Sequence, residues 1–323
     1  MQVRRFFSRV LLFATPFLVW AMIVIAIDPF DYFNLFHVVP EPVKLQNAAS
    51  LNSMMFNMLK EAHEPCENLI IGDSRVQGLS LDEIQKVTGE RYHTLYSNAL
   101  KLNEAVDLFW FANQQRQLKH VVFGINFNEY NEYAYADRVH SVEAVIHNPL
   151  LYLFDRSTAQ AVYYLVKALL AGKKVVSSQP PMSREEFWNY IVTVRGREHY
   201  AKYRHPDALY RRMQDMVAFA KEQGTEVTII IVPHHEDFQK RVREFGLVDQ
   251  YLRFKREMSN IGARVIDYDY RNDITCDASK FTDPIHYNDE VGKLIVDEVF
   301  GAKLEYGKLL SPAWADQCSN FLF

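Results

Sequence analysis

Ser74, Asp283 and His286 are the side chains whose types and placement suit nucleophilic acyl chemistry. A serine hydroxyl is a weak nucleophile until an imidazole takes its proton, and an aspartate beside the ring holds the tautomer that can do so. Ser74 stands in Asn68-Leu69-Ile70-Ile71-Gly72-Asp73-Ser74-Arg75-Val76-Gln77-Gly78-Leu79, where an apolar run stops at a glycine and two small polar residues. That pattern predicts a buried strand and a sharp turn. The turn would lift Ser74 to the carboxyl rim of a parallel sheet, near a helix N-terminus that favours developing negative charge. Asp73 or Ser74 acting only as a helix cap fits the same residues. Far downstream, Asp283-Pro284-Ile285-His286 follows the last strand pattern and opens on the same rim. A lone Asp-x-x-His says little, but paired with Gly-Asp-Ser it predicts a nucleophile, a base and an orienting acid.

The elements that must position them are read from hydropathy. Apolar strands are expected at 68–72, 92–97, 119–126, 225–232 and 263–268. Helical periodicity fills 101–117, 207–223, 247–260 and 287–299, so strands and helices alternate and the fold class is α/β with a parallel sheet. Residues 127–206 interrupt that rhythm as a long aromatic-rich insertion with helix-like stretches at 150–171 and 184–194. Such a segment serves as a lid or partner surface, or as a subdomain that covers the sheet.

Gly72-Asp73-Ser74 and Asp283-Pro284-Ile285-His286 resemble the first and last blocks of the SGNH (GDSL) hydrolase superfamily. Gly124-Ile125-Asn126 is similar to its Gly-x-Asn-Asp block, with Phe127 where the family has Asp. The resemblance covers about 68–300 and implies a three-layer α/β/α flavodoxin-like domain with five parallel strands. It further implies Ser74 as nucleophile, His286 as base and Asp283 as orienting acid. The Ser74 backbone N–H and the Asn126 amide would then form the oxyanion hole. The second block normally offers a glycine N–H; Ser97-Asn98-Ala99 stands there instead, and Asn98 or Ala99 could donate from its backbone. Together with an anchor, the resemblance is to envelope proteins that transfer acyl groups to surface polymers, often beside a membrane-bound O-acyltransferase. The expected partners are thus an acyl donor or cell-surface polysaccharide, the membrane, and such an acyltransferase. No cofactor and no metal are called for. A fold-retaining accessory protein without catalysis is the other expectation.

Arg75 has two readings, a fork for an anionic polymer or a structural ion pair. Asp73 is expected to orient the turn. His234 and His235, with Glu236 and Asp237, end the fourth strand; they suggest substrate contact or simple loop polarity, since no third metal ligand has a recognisable spacing. Tyr130, Tyr133, Phe187 and Trp188 could stack on sugars or lie in the core.

Val10 to Ile27 is an uncharged apolar run preceded by Arg4, Arg5 and Arg9 and followed by Asp28 and Asp31. Its length meets the minimum for a membrane-spanning helix, and a signal peptide is the rival. The expected layout is a cytoplasmic 1–9, an anchor over 10–27, a juxtamembrane connector over 28–66 and the main domain over 67–323 on the periplasmic or extracellular side of an inner or plasma membrane. Within the connector, Met54, Met55, Met58 and Leu59 recur at helical spacing as a packing face. A net charge of −4 offers no basic footprint for nucleic acid. Cys66, Cys276 and Cys318 are too scattered for a metal knuckle or a dense disulfide framework and read as free buried thiols, with one disulfide and a spare thiol as the alternative.

Overall fold

The computed structural model describes residues 2–172, 176 and 182–317. Five strands, β1 (Asn68–Gly72), β2 (His93–Tyr96), β3 (His120–Ile125), β4 (Glu226–Ile231) and β5 (Arg264–Asp267), run parallel in the order β2-β1-β3-β4-β5. That is the flavodoxin-like doubly wound order. β1, β3 and β4 read as unbroken apolar runs because both faces of a parallel sheet are covered. On one face Ile70, Val122, Ile230 and Ile266 pack with Ile295 and Val299 of the Asp289–Val299 helix. On the other, Phe109 of the Leu102–Gln115 helix meets Phe123 and Phe219. Two further strands, β6 (Phe281–Asp283) and β7 (His286–Tyr287), form a separate antiparallel pair. The last strand, β8 (Lys308–Leu309), lies antiparallel beside β5; two residues are too few to leave a hydropathy signal.

The chain divides into two compact units. Residues 64–139 and 179–323 hold the sheet; residues 1–63 and 140–178 make the other. The expected insertion over 127–206 is therefore split between them. Its central helix, Arg156–Ala171, packs on the Glu41–Leu51 helix, with Ala161, Val162, Leu165 and Ala168 buried. In that second unit the expected connector is largely helical, over Glu41–Leu51 and Ser53–His63, and Met54, Met55, Met58 and Leu59 are buried as a packing face. The N-terminal helix, Gln2–Ile27, contains a stretch from Val3 to Ile27 long and apolar enough to cross a membrane and almost wholly uncovered by protein. Cys66 is buried, while Cys276 is an exposed thiol; Cys318 lies outside the described residues.

Candidate active site

Two glycines set the height of the turn that carries Ser74. A Cβ at Gly72 would lie 2.5 Å from Val76 Cγ1, and one at Gly124 would lie 2.3 Å from the same atom. Val76 therefore settles directly onto β1 and β3, and the turn closes tightly over their carboxyl ends. The turn is a short 3₁₀ helix, Ser74–Gly78; the next α-helix starts only at Leu81, capped by Ser80. The helix-terminus field expected at Ser74 is thus reduced to one turn. Asp73, not Ser74, is the cap, accepting the Arg75 backbone N–H at 3.0 Å. The Ser74 hydroxyl is left for other work.

That hydroxyl lies 2.8 Å from His286 Nε2, and His286 Nδ1 lies 2.7 Å from Asp283 Oδ2. A carboxylate accepts only, so Nδ1 carries the proton and Nε2 is free to accept from the serine. Asp283 also accepts the Ile285 and His286 backbone N–H groups, at 2.9 and 3.1 Å, through its other oxygen. The Pro284 turn between β6 and β7 thereby presents acid and base as one piece. Asp283 is buried and His286 about a third exposed, so the ring is reachable from outside while its partner is not.

The residue after His286 ties the two halves together. Tyr287 donates its hydroxyl to the Arg75 carbonyl at 2.7 Å. Its ring lies where a Cβ on Gly78 would intrude at 2.6 Å. Nothing in the spacing marked Tyr287 apart from its neighbours.

Arg75 does not face a ligand. It is 3% exposed and grips Asp73 Oδ1 at 2.9 Å, Glu129 Oε1 at 2.8 Å and His234 Nε2 at 2.6 Å. The structural ion pair is the reading that stands, because a buried guanidinium needs carboxylate partners. His234, expected as a substrate contact, is likewise buried; its Nδ1 faces Asp269 Oδ2 at 3.3 Å and its backbone N–H donates to Asp269 Oδ1 at 3.0 Å. Since Arg75 donates to Nε2, the His234 proton sits on Nδ1. Burial lowers the basicity of this imidazole and keeps it neutral. His235 caps the Glu236–Glu244 helix instead of joining a site.

Burial raises both carboxyls around Arg75, but the guanidinium outweighs it at Asp73 and holds that group down at about 2. Glu129 goes the other way: burial, with the Asp73 charge beside it, lifts it well above the usual carboxylic range despite Arg75. Glu129 is thus the protonated member and hydrogen bonds to Asp73. Glu129 and Asp269 were not singled out in the sequence. The available signal was Arg75 itself: a charge next to a strand end needs acids from neighbouring strand ends, and these follow β3 and β5.

The oxyanion donors divide. Asn126 is fully buried and gives one of its two amide N–H groups to the Val232 carbonyl at 2.7 Å, with the same nitrogen 3.4 Å from His234 Nδ1. A buried carbonyl just past β4 needs a donor, and Asn126 supplies it. Ala99 takes φ of +51°, the left-handed conformation in which a glycine is strain-free. Its loop is held by Arg138, which donates to the Asn98 and Ala99 carbonyls at 3.1 and 3.2 Å and is ion-paired to buried Glu104. Asn98 and Ala99 are exposed. Among the described residues, neither the Ser74 nor the Ala99 backbone N–H has a protein acceptor.

Of the aromatic candidates, Tyr130 is core and donates to Glu257, while Trp188 donates to Asp237 and stands edge-on to His235. Phe187 is partly buried and Tyr133 exposed.

Fold and site together define a doubly wound α/β protein with a serine, histidine and aspartate joined at the carboxyl rim of its sheet. No family profile matches the chain, and no curated protein does. Among solved structures, the chain is similar to a Bacteroides fragilis protein proposed to be an acylhydrolase (11% identity, 77% of this chain and 96% of that one, TM-score 0.41). It is also similar to the C-terminal catalytic domain of Streptococcus pneumoniae peptidoglycan O-acetyltransferase A (11%, 80% and 93%, 0.32). A third is a GDSL-like lipase from Bacteroides thetaiotaomicron (9%, 78% and 95%, 0.36). Likeness this distant carries no functional weight.

Proposed function

We propose that the protein is a membrane-anchored, extracytoplasmic serine esterase or O-acyltransferase acting on acyl esters, acetyl foremost, of a cell-envelope polysaccharide or surface polymer. The observation that carries the chemistry is the unbroken Ser74–His286–Asp283 chain, at 2.8 and 2.7 Å. In this reading His286 Nε2 takes the Ser74 proton as Oγ attacks the acyl carbonyl, and Asp283 steadies the imidazolium. The Ser74 and Ala99 backbone N–H groups meet the oxyanion, each such donor contributing about 3 kcal/mol in the transition state. Collapse expels the first alcohol, protonated by His286, and leaves Ser74 acylated. Water or a sugar hydroxyl then gives its proton to His286, attacks the acyl carbonyl and releases the serine.

The anchor is supported by the exposed apolar N-terminal helix and by its packing. Trp20 Nε1 donates to the Leu153 carbonyl at 2.7 Å and Phe17 stands edge-on to Phe154, so the helix is part of a folded unit, which a cleaved signal would not be. Arg4, Arg5 and Arg9 before it support a cytoplasmic start.

The second reading, a non-catalytic accessory protein of a membrane-bound O-acyltransferase, draws on Asn126, which is fully buried and gives one amide N–H to the Val232 carbonyl. One experiment separates the two. A serine-directed fluorophosphonate is expected to label the full chain in detergent, with labelling lost in Ser74→Ala and His286→Ala. Absence of labelling in the folded wild type, with Ser74→Ala fully functional in cells, sinks the enzyme.

A further inference from the structure

The Arg156–Ala171 helix is apolar on two opposite sides. One stripe is buried against the Glu41–Leu51 helix. The other, Tyr163, Val166, Leu169 and Leu170, is uncovered, with Leu170 86% exposed. The preceding helix, Pro149–Phe154, adds exposed Leu150, Leu151 and Phe154. Soluble proteins rarely leave such a contiguous patch in water.

Where this patch sits is fixed by two contacts within the same unit. Phe154 meets Phe17, their ring centroids 6.2 Å apart, and the Leu153 carbonyl accepts from Trp20. Phe17 lies ten residues before Ile27, the end of the N-terminal helix. At 1.5 Å per residue that is about 15 Å back along the helix axis, or about half of a ~30 Å hydrocarbon layer. If the helix crosses a bilayer, as proposed above, Pro149–Phe154 lies at acyl-chain depth.

We infer that Pro149–Phe154 and the outward stripe of Arg156–Ala171 are embedded in the outer leaflet beside the N-terminal span, a second membrane-bound element that enters without crossing. The occupant of the apolar face is lipid acyl chain. Several of the helix-end N–H groups have internal acceptors, which lowers the cost of entering lipid: Asn148 Oδ1 accepts the Leu150 and Leu151 N–H groups, and Asp155 accepts from Thr158. Arg156 and Lys167 are exposed, and long cationic side chains of this kind carry their charge toward the headgroups.

The test uses the full chain with Cys66→Ala, Cys276→Ser and Cys318→Ser. Single substitutions Phe13→Cys, Leu150→Cys or Leu170→Cys carry an environment-sensitive fluorophore, in vesicles of phosphatidylcholine and phosphatidylglycerol. Most emission at all three sites is expected to be lost to nitroxide on the lipid tails, and little to aqueous iodide. Tail quenching at position 13 with iodide quenching at 150 and 170 overturns the inference while the anchor stands. No tail quenching at 13 removes the anchor and the inference with it. Shielding of 150 and 170 from both quenchers means that protein, such as a second copy, covers the face, and also overturns it.

Discussion

Glu129 holds a proton that its surroundings require: Arg75 can neutralise one buried carboxylate, and Asp73 takes that role. The raised Glu129 carboxyl gives a pH signature with a definite sign. In the unfolded chain it ionises near its ordinary value; folded, it keeps its proton, so its contribution is complete at low pH and is lost as pH rises through the folded value. The slope is about 1.4 kcal/mol per pH unit for one proton. Asp73, held down, has the opposite dependence and loses its contribution only in strong acid, toward about 2. Glu129→Gln keeps an oxygen for Arg75 and an N–H for Asp73. Urea midpoints of wild type and Glu129→Gln are expected to coincide at about pH 4 and to separate in favour of the variant by about pH 8. Equal loss in the variant at both pH values refutes a neutral Glu129.

Among the elements, the β6–β7 pair and the Ser74–Gly78 turn depend on each other through Tyr287. Removing its hydroxyl frees the Arg75 carbonyl, a single hydrogen bond of about 1 kcal/mol. The effect on the Ser74–His286 distance is larger in kinetic terms, since small displacements of reacting groups cost about 10²-fold. Tyr287→Phe is therefore expected to remain folded, with its urea midpoint lowered slightly, while fluorophosphonate labelling slows about 10- to 100-fold. Slowing no greater than the stability loss explains would show that Tyr287 only packs. Placement of these elements was largely legible in the sequence. Strands buried on both faces must be apolar throughout, and Gly-Asp-Ser and Asp-Pro mark where two of the rim turns begin. What Asn126 bonds was not legible, because an amide after a strand can serve a ligand or a neighbouring carbonyl, and only the position of Val232 decides.

For the molecule as a whole, the apolar N-terminal run was plain in the sequence, but the partner of the 156–171 helix was not. Helical periodicity reveals that a face is buried and leaves open which element buries it; here it is the Glu41–Leu51 helix. The proposed orientation rests on Arg4, Arg5 and Arg9. Replacing all three with Glu is expected to invert or scramble insertion, so that externally added protease cleaves less of the sheet-bearing portion in intact spheroplasts. Unchanged cleavage would show that orientation is set elsewhere. The hairpin that carries Asp283 and His286 has a consequence of its own. Acid and base ride on one ribbon and the hydroxyl on another, so the relay has a single joint. Any influence that opens it, whether a bulky substrate or a distant push, must also stretch the Tyr287–Arg75 bond, and it leaves a ring still aligned with Asp283 to resume proton transfer when the joint shuts.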